Sequence, residues 1–351
     1  MPNNANQSFL RRPVVRWGAL IVLVVIAAVL PLVLPEIAND TIARIGVFAV
    51  AVLGLNVVMG YGGQVSLGQI FFLGLGAYVT AYGATHDWNI VFTFVLALLL
   101  PAVIGLLVAL AAARLGGLAI AMVTIALPII GLPLAKRLSD WTGGSQGLSS
   151  RFSDAPEWTG LYNDQWKLYL VLVIGAVTFV LVRNFVRGKF GRALAIVKEN
   201  EAVASSMGIS PYWYKVLAFT IASLVGGVSG FLYMAVVQYT SPETLAFHHS
   251  ITLVASMVIG GAATMTGSVL GGVYYVFVPM LTNAIDPNLT AALQGAILLI
   301  VLFVLPGGLV SLPRRIAALR RRPSGQAPPG GASLAPDPDP EPAPTTTQNE
   351  R

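Results

Sequence analysis

The chain has no cysteine and few charged residues. Lys, Arg, Asp and Glu together make up 10% of its 351 residues, whereas soluble globular chains usually carry about a quarter. The lack of cysteine excludes disulfides and thiolate metal sites. So few charges cannot cover a water-exposed surface, and lipid must therefore solvate much of the protein.

Apolar residues, by contrast, make up 56% of the chain, and its mean hydropathy is +0.76. In lipid, only helices and closed barrels satisfy the backbone polar groups internally. Barrel strands would alternate in polarity over about ten residues, but the apolar runs at 20–34 and 168–182 are longer and do not alternate. The sequence therefore predicts an all-α, polytopic integral membrane protein.

About ten apolar stretches have the length of a transmembrane helix, which is roughly 20 residues. They lie near 17–35, 41–60, 64–84, 90–113, 116–135, 167–183, 214–237, 250–264, 266–285 and 290–306. The first is too long for a signal-peptide core, so we expect a retained helix there. Glycines interrupt 250–285, where two full spans or a broken, re-entrant arrangement would both fit.

Lys and Arg are distributed unequally between the two sides of this ten-span layout. Sixteen of the 21 fall on one side and five on the other, and the basic side of a membrane protein faces the cytoplasm. The layout predicts a cytoplasmic N-terminal segment (1–16), a transmembrane domain (17–312) with a cytoplasmic loop (184–213), and a cytoplasmic tail (313–351). The tail begins basic and becomes Pro-rich, and we expect it to be disordered. Because topology explains the basic excess, no nucleic-acid partner is expected.

Chemically reactive groups are scarce within the predicted spans. No acid lies in the middle of a span, and no known catalytic or metal-binding motif occurs. Ion-driven carriers and intramembrane enzymes usually place such groups at membrane depth. His86, His248 and His249 fall in or beside outward loops, where a solvated role is expected. We therefore expect no catalytic residue and no metal site, and energy for uphill transport would come from a partner.

Residues 60–78 combine closely spaced glycines with uncharged polar side chains. The glycines would let helix backbones approach closely in lipid. Gln64 and Gln69 would either hydrogen-bond between helices or line a polar pathway, and the residues alone leave both interpretations open.

Segment 191–209, in the cytoplasmic loop, has an amphipathic helical pattern. Leu194, Val197, Glu201 and Ala204 recur at three- and four-residue steps, and Gly208 is placed to form a left-handed C-terminal cap. One short surface helix is therefore expected. It could lie on lipid headgroups or dock in a groove of a cytosolic partner.

The same segment resembles the cytoplasmic coupling loop of ABC-importer permeases, known as the EAA loop. More narrowly, ordered motifs across residues 40–312 resemble the LivM-type permeases of high-affinity branched-chain amino-acid importers. These motifs occupy 54–56, 60–68, 121–124, 138–148, 191–209, 239–243, 258–261 and 267–271. The chain departs from the family pattern at Glu201 and Gly208, which are seven residues apart, one more than in the commonest EAA form. Gln69 also stands where the family often has His or Ala.

This resemblance implies an inner-membrane permease subunit that imports branched-chain or related apolar amino acids by alternating access. The implied partners are a homologous second permease, two cytosolic ATPases, a periplasmic binding protein and membrane lipid. ATP and Mg would be used by the ATPases, and this chain would bind no cofactor. The residues expected to couple to the ATPases are Gly191, Arg192, Lys198, Glu199, Glu201, Ala202 and Gly208. The candidate pathway residues are Asn56, Gln64, Ser66, Gln69 and Thr124, and the periplasmic loop residues are Thr142, Gly143, Gly144 and Ser145.

Two other functions fit parts of the sequence. The same machinery could import urea or a short amide, because permeases for these look nearly alike and the binding protein largely selects the cargo. An uncoupled channel or an ion-driven carrier is a different class. The lack of membrane-depth acids disfavours a carrier, and a channel would not need the 192–208 helix.

Overall fold

A computed structural model describes residues 25, 28–114, 117–286, 289–305 and 307–312. The expected N-terminal segment (1–16), most of the expected span 17–35 and the expected tail (313–351) lie outside these residues. Most of the described chain is α-helical, which confirms the predicted helical class.

The helices follow the apolar runs of the sequence closely. They are α1 (Glu36–Leu55, continued by a π-helical turn at Asn56–Tyr61), α2 (Gln69–Thr85), α3 (Ile90–Ala112), α4 (Gly117–Arg137), α5 (Asn163–Arg187), α6 (Lys189–Glu199), α7 (Glu201–Ser206), α8 (Pro211–Val237), α9 (Phe247–Gly260), α10 (Met265–Ile285) and α11 (Thr290–Val304). Two antiparallel two-residue strands, β1 (Leu148–Ser149) and β2 (Tyr239–Thr240), pair Leu148 with Thr240.

Among the described residues, six helices are long and apolar enough to cross a membrane: Glu36–Tyr61, Ile90–Ala112, Ile120–Arg137, Asn163–Arg187, Pro211–Val237 and Met265–Ile285. The spans expected near 64–84, 250–264 and 290–306 coincide with α2, α9 and α11, which have 17, 14 and 15 residues. At 1.5 Å per residue, α9 is about 21 Å long and falls short of the roughly 30 Å hydrocarbon core.

Contacts between residues that are distant in the sequence define two ends of the bundle. At the end that carries α6 and α7, the Lys198 ammonium reaches the Gly60 carbonyl, and Tyr212 Oη donates to the Leu110 carbonyl at 3.1 Å. At the opposite end, which we call the β-bridge end, β1 pairs with β2 and Lys136 contacts Glu243. Successive long helices run between these two ends in alternating directions.

Helix α8 forms the centre of the bundle and packs against α1, α2 and α3. Its backbone touches that of α2 where glycines face each other. A Cβ on Gly76 would lie 2.6 Å from the Gly227 carbonyl oxygen, and one on Gly230 would lie 2.1 Å from the Leu73 carbonyl oxygen. In lipid the hydrophobic effect does not drive helices together, so close backbone contact of this kind stabilises the bundle through van der Waals packing. Apolar side chains of α1 and α8, including Leu53 and Leu232, fill the surrounding core.

Candidate translocation and coupling site

A helix break at residues 56–68, made of the π-helical turn and the non-helical residues 62–68, separates α1 from α2 and includes the start of the predicted span 64–84. The chain leaves α1 through the π-helical turn, runs as non-helical backbone, and re-enters a helix only at Gln69. Gly63 has a φ of +66°, a left-handed conformation that favours glycine. Irregular backbone at membrane depth is tolerated where protein or a cavity surrounds it, and such breaks are typical of transporter binding regions.

Polar side chains of this break attach it to neighbouring helices. Gln64 Nε2 donates to the Lys215 carbonyl at 3.3 Å, and Gln69 Nε2 donates to the Ala222 carbonyl at 3.0 Å, both on α8. Thr124 Oγ1 on α4 accepts from the Leu67 amide at 3.1 Å. Both glutamine amides therefore bond to α8, and the structure brings these candidate pathway residues together; their role in lining a pathway stays a prediction. Ser66 is buried beside them.

A second break, at residues 261–264, separates α9 from α10. Asn56, which is fully buried, holds it against the first break. Its Oδ1 accepts from the Ala263 amide at 2.7 Å, and its Nδ2 donates to the Thr264 carbonyl at 2.8 Å and to Ser268 Oγ at 3.1 Å. The candidate pathway residue Asn56 thus joins two helix breaks that lie about 200 residues apart in the chain.

The surface segment 189–206 forms two helices rather than the single helix that was expected. Asn200 separates α6 from α7 in an extended conformation and caps α7, because its Oδ1 accepts from the Ala202 amide at 2.9 Å and the Val203 amide at 3.2 Å. The apolar face of α6, formed by Ala193, Leu194 and Val197, is buried. Since that face packs against the bundle, it is not free to lie on lipid headgroups.

The expected left-handed cap at Gly208 is confirmed, with a φ of +76°. Its amide donates to the Ser205 carbonyl at 3.0 Å, and the Ile209 amide donates to the Ala204 carbonyl at 2.9 Å. This pair of bonds is a Schellman motif. It ends α7 beside two exposed apolar side chains, Val203 and Met207, which are four residues apart and so lie on one helix face.

The other expected coupling residues occupy the same surface. Glu201 Oε1 forms an ion pair with Lys215 Nζ at 2.5 Å, and the Lys215 side chain is only 10% exposed. Arg192, Glu199 and Ala202 are exposed. Gly191 lies in the first turn of α6, where a Cβ would clash with the Val186 carbonyl.

The predicted periplasmic loop residues form a tight turn at the β-bridge end. Thr142 Oγ1 donates to the Leu138 carbonyl at 2.8 Å and accepts from the Gly144 amide at 3.2 Å. Gly143 and Gly144 have φ values of +71° and +60°, while Ser145 is exposed. The turn supports β1, and Lys136 Nζ reaches Glu243 Oε1 at 3.1 Å across this end.

A cavity of about 200 Å³ between the first break and the β-bridge end has no signal in the sequence. Phe48 stacks on Tyr275 with ring centroids 3.9 Å apart, and Tyr275 Oη lies 3.0 Å from His249 Nδ1. Ile70 and Leu73, from the first turns of α2, also line the cavity. His249 therefore faces a protein cavity rather than only solvent. The described residues contain no group of three potential metal ligands.

Comparisons with known proteins find relatives that match most of the chain. A family model described as "Branched-chain amino acid transport system / permease component" matches residues 37–302. The chain is 28% identical over 333 residues to the high-affinity branched-chain amino acid transport system permease protein LivM of Salmonella typhimurium, covering 88% of this chain and 77% of that protein. It is 28% identical over 320 residues to LivM of Escherichia coli, covering 84% and 75%. It is also 25% identical over 169 residues to the Escherichia coli permease LivH, covering 44% and 54%.

Proposed function

The chain belongs to the family of branched-chain amino acid transport permeases, and from that premise we propose that it is one translocation subunit of an ATP-driven importer. Its cargo would be leucine, isoleucine, valine or related apolar amino acids. The observation that carries the proposal is the similarity to LivM, which extends over most of this chain. The multi-pass helical structure supports it.

In this proposal the chain is not itself an enzyme, and two cytosolic ATPases supply the energy. The surface formed by α6 and α7 is suited to receive an ATPase, because it presents Val203 and Met207 to solvent on a helix that the Schellman motif at Gly208 terminates. The coupling residues expected from the sequence lie on or beside this surface. ATP and Mg would bind only to the partner subunits.

A second permease would complete the pathway. The similarity to both LivM and LivH supports pairing with a related subunit, since one chain is similar to both proteins. A binding protein would deliver the amino acid at the β-bridge end, where the turn at Thr142–Ser145 and the Lys136–Glu243 ion pair form the outer surface.

The proposed orientation places α6 and α7 in the cytoplasm of a bacterial cell and the β-bridge end outside its inner membrane. Basic residues in the last turns of α5 and at the start of α6 support this, because Arg183, Arg187, Lys189 and Arg192 cluster at the α6–α7 end. With helices α2, α9 and α11 each taken as a partial or full span, and one further span near 17–35, the chain would cross the membrane about ten times.

Reconstitution in proteoliposomes tests the proposal. The chain would be purified with its second permease and ATPases, and uptake of radiolabelled leucine would be measured with ATP inside and the binding protein outside. We expect uptake to require all components and to be inhibited by excess isoleucine and valine but not by urea. Leucine uptake by this chain alone, without ATP, would refute the proposal. If urea inhibited uptake and isoleucine and valine did not, the proposed cargo would be wrong.

A further inference from the structure

Lys198, on the surface helix α6, is bonded directly to the first helix break. Its Nζ donates to the Gly60 carbonyl at 2.7 Å. The three preceding carbonyls of the π-helical turn have backbone partners: Val57, Val58 and Met59 accept from the amides of residues 62, 64 and 63 at 3.0–3.1 Å. Lys198 thus supplies a donor to the next carbonyl in the series, at the point where the chain stops being helical.

The lysine stem makes a second contact with the break. A Cβ placed on Gly63 would lie 2.7 Å from Lys198 Cγ and 3.3 Å from its Cδ. The hydrocarbon stem therefore rests on the backbone of Gly63, whose positive φ starts the irregular segment. A lysine can bury its stem against apolar surface while its ammonium seeks polar partners. The cation also complements the negative end of the helix dipole.

Another link runs from α7 to α8. Glu201 is paired with Lys215 in the first turns of α8, so α7 is attached to the bundle core. Gln64 donates to the backbone carbonyl of that same Lys215. The break is consequently held from three sides, by α6 through Lys198, by α8 through Gln64 and by α4 through Thr124.

We propose that Lys198 is a positioning residue that ties the ATPase-facing helix α6 to the broken segment 62–68. Movement of α6 then reaches the segment directly through Lys198, in addition to any movement of α8, which α6 contacts where Phe190 meets Tyr214. The proposal rests on the proposed function, since it requires an ATPase that displaces α6. It adds a specific route by which the displacement reaches the membrane interior.

The test compares three variants in the reconstituted complex. Lys198→Met keeps the stem and removes the charged donor, Lys198→Arg restores a cation, and Lys189→Met removes a cation from the same helix at an exposed position. We expect Lys198→Met to lower the amino acid taken up per ATP hydrolysed about tenfold, as the loss of one charge-assisted hydrogen bond allows. Lys198→Arg should recover most of that ratio, and Lys189→Met should leave it unchanged.

A conformational readout separates positioning from simple support. The chain has no cysteine, and Val65, in the break, is 48% exposed, so Val65→Cys provides one reporter thiol. Its rate of reaction with a maleimide would be compared with and without a non-hydrolysable ATP analogue. We expect the nucleotide to change this rate in the Lys198 background and to have little effect when Lys198→Met is added.

Equal uptake per ATP in Lys198→Met and Lys189→Met would overturn the inference. Loss of the ATPase from purified Lys198→Met complexes would also overturn it, because the lysine would then be a docking residue. Failure of the proposed function is distinguishable, since wild-type uptake would then not depend on ATP at all. In that case the nucleotide would leave Val65→Cys reactivity unchanged even with Lys198 present.

Discussion

Replacing Asn56 with alanine should destabilise the membrane domain strongly, because this side chain joins the two helix breaks. The wild-type amide makes three bonds, to Ala263, Thr264 and Ser268, at 2.7–3.1 Å and with no solvent exposure. Alanine removes all three. The Ser268 hydroxyl can rotate toward the Thr264 carbonyl, which already lies 3.5 Å away, but the Ala263 amide loses its acceptor.

The magnitude follows from these unpaired groups. A buried donor or acceptor without a partner costs about 1–3 kcal/mol, so the amide and the partly satisfied carbonyl together give about 2–4 kcal/mol. For the roughly 280 described residues, at about 2.1 cal/mol/K each, the unfolding entropy is about 0.6 kcal/mol/K, so the melting temperature should fall by roughly 3–7 °C. The assay is thermal unfolding of the detergent-purified protein, followed by tryptophan fluorescence.

Two further variants define the outcome. Asn56→Asp keeps the acceptor for Ala263 but turns a carboxylate toward the Thr264 carbonyl, so it should be at least as destabilising as alanine. Asn89→Ala removes a single exposed cap bond to the Val91 amide, which is worth about 1 kcal/mol. If Asn56→Ala unfolds within 2 °C of the wild type, or no lower than Asn89→Ala, the breaks are not held together by this residue.

Three further outcomes are expected. Gly208→Val forces a β-branched residue into a left-handed conformation, so it should uncouple ATP hydrolysis from uptake. Membrane insertion, measured by expression in the membrane fraction, should be preserved. Normal transport by this variant would contradict the coupling role. Gly230→Val should prevent stable folding, because the valine side chain would overlap the α2 backbone. Gly175→Ala should be tolerated, because its Cβ would lie 3.7 Å from the nearest atom. Size-exclusion profiles in detergent would distinguish the two variants, and similar profiles would disprove the close approach of α2 and α8. Glu243→Gln removes an exposed ion pair with Lys136 and should change stability by less than about 1 kcal/mol; a larger change would mean that this pair closes the β-bridge end.

The helices were largely predictable because lipid imposes a simple rule on sequence. A long apolar run has few alternatives to a helix in the membrane, so the stretches near 90–113 and 214–237 agree closely with α3 and α8. The left-handed conformation of Gly208 was predictable for a similar reason, since a glycine that follows an amphipathic run is a local signal.

The first helix break was harder to predict, because hydropathy does not register it, whereas the glycines within 250–285 leave a broken arrangement open for the second. Residues 62–68 are no more polar than many helical segments, and what holds them non-helical comes from distant residues. Gln64 finds its acceptor 151 residues away, and Lys198 reaches Gly60 across 138 residues. The division of the surface segment into two helices did have a local signal. Asn200 is a preferred N-cap residue, but the helical periodicity continues through it and predicts one helix.

The bonds of Asn56 also have a consequence for how the protein is made. Its partner at Ala263 lies 207 residues further along the chain, and a ribosome adds about 5–20 residues per second. The amide therefore waits roughly 10 to 40 s in the membrane before its partners are synthesised. During that interval the Asn56 amide lies in the nascent N-terminal half without the hydrogen-bond partners that residues 263–268 later supply. We expect this half to be the part of the molecule that depends most on an insertase or on its own second half for survival in the cell.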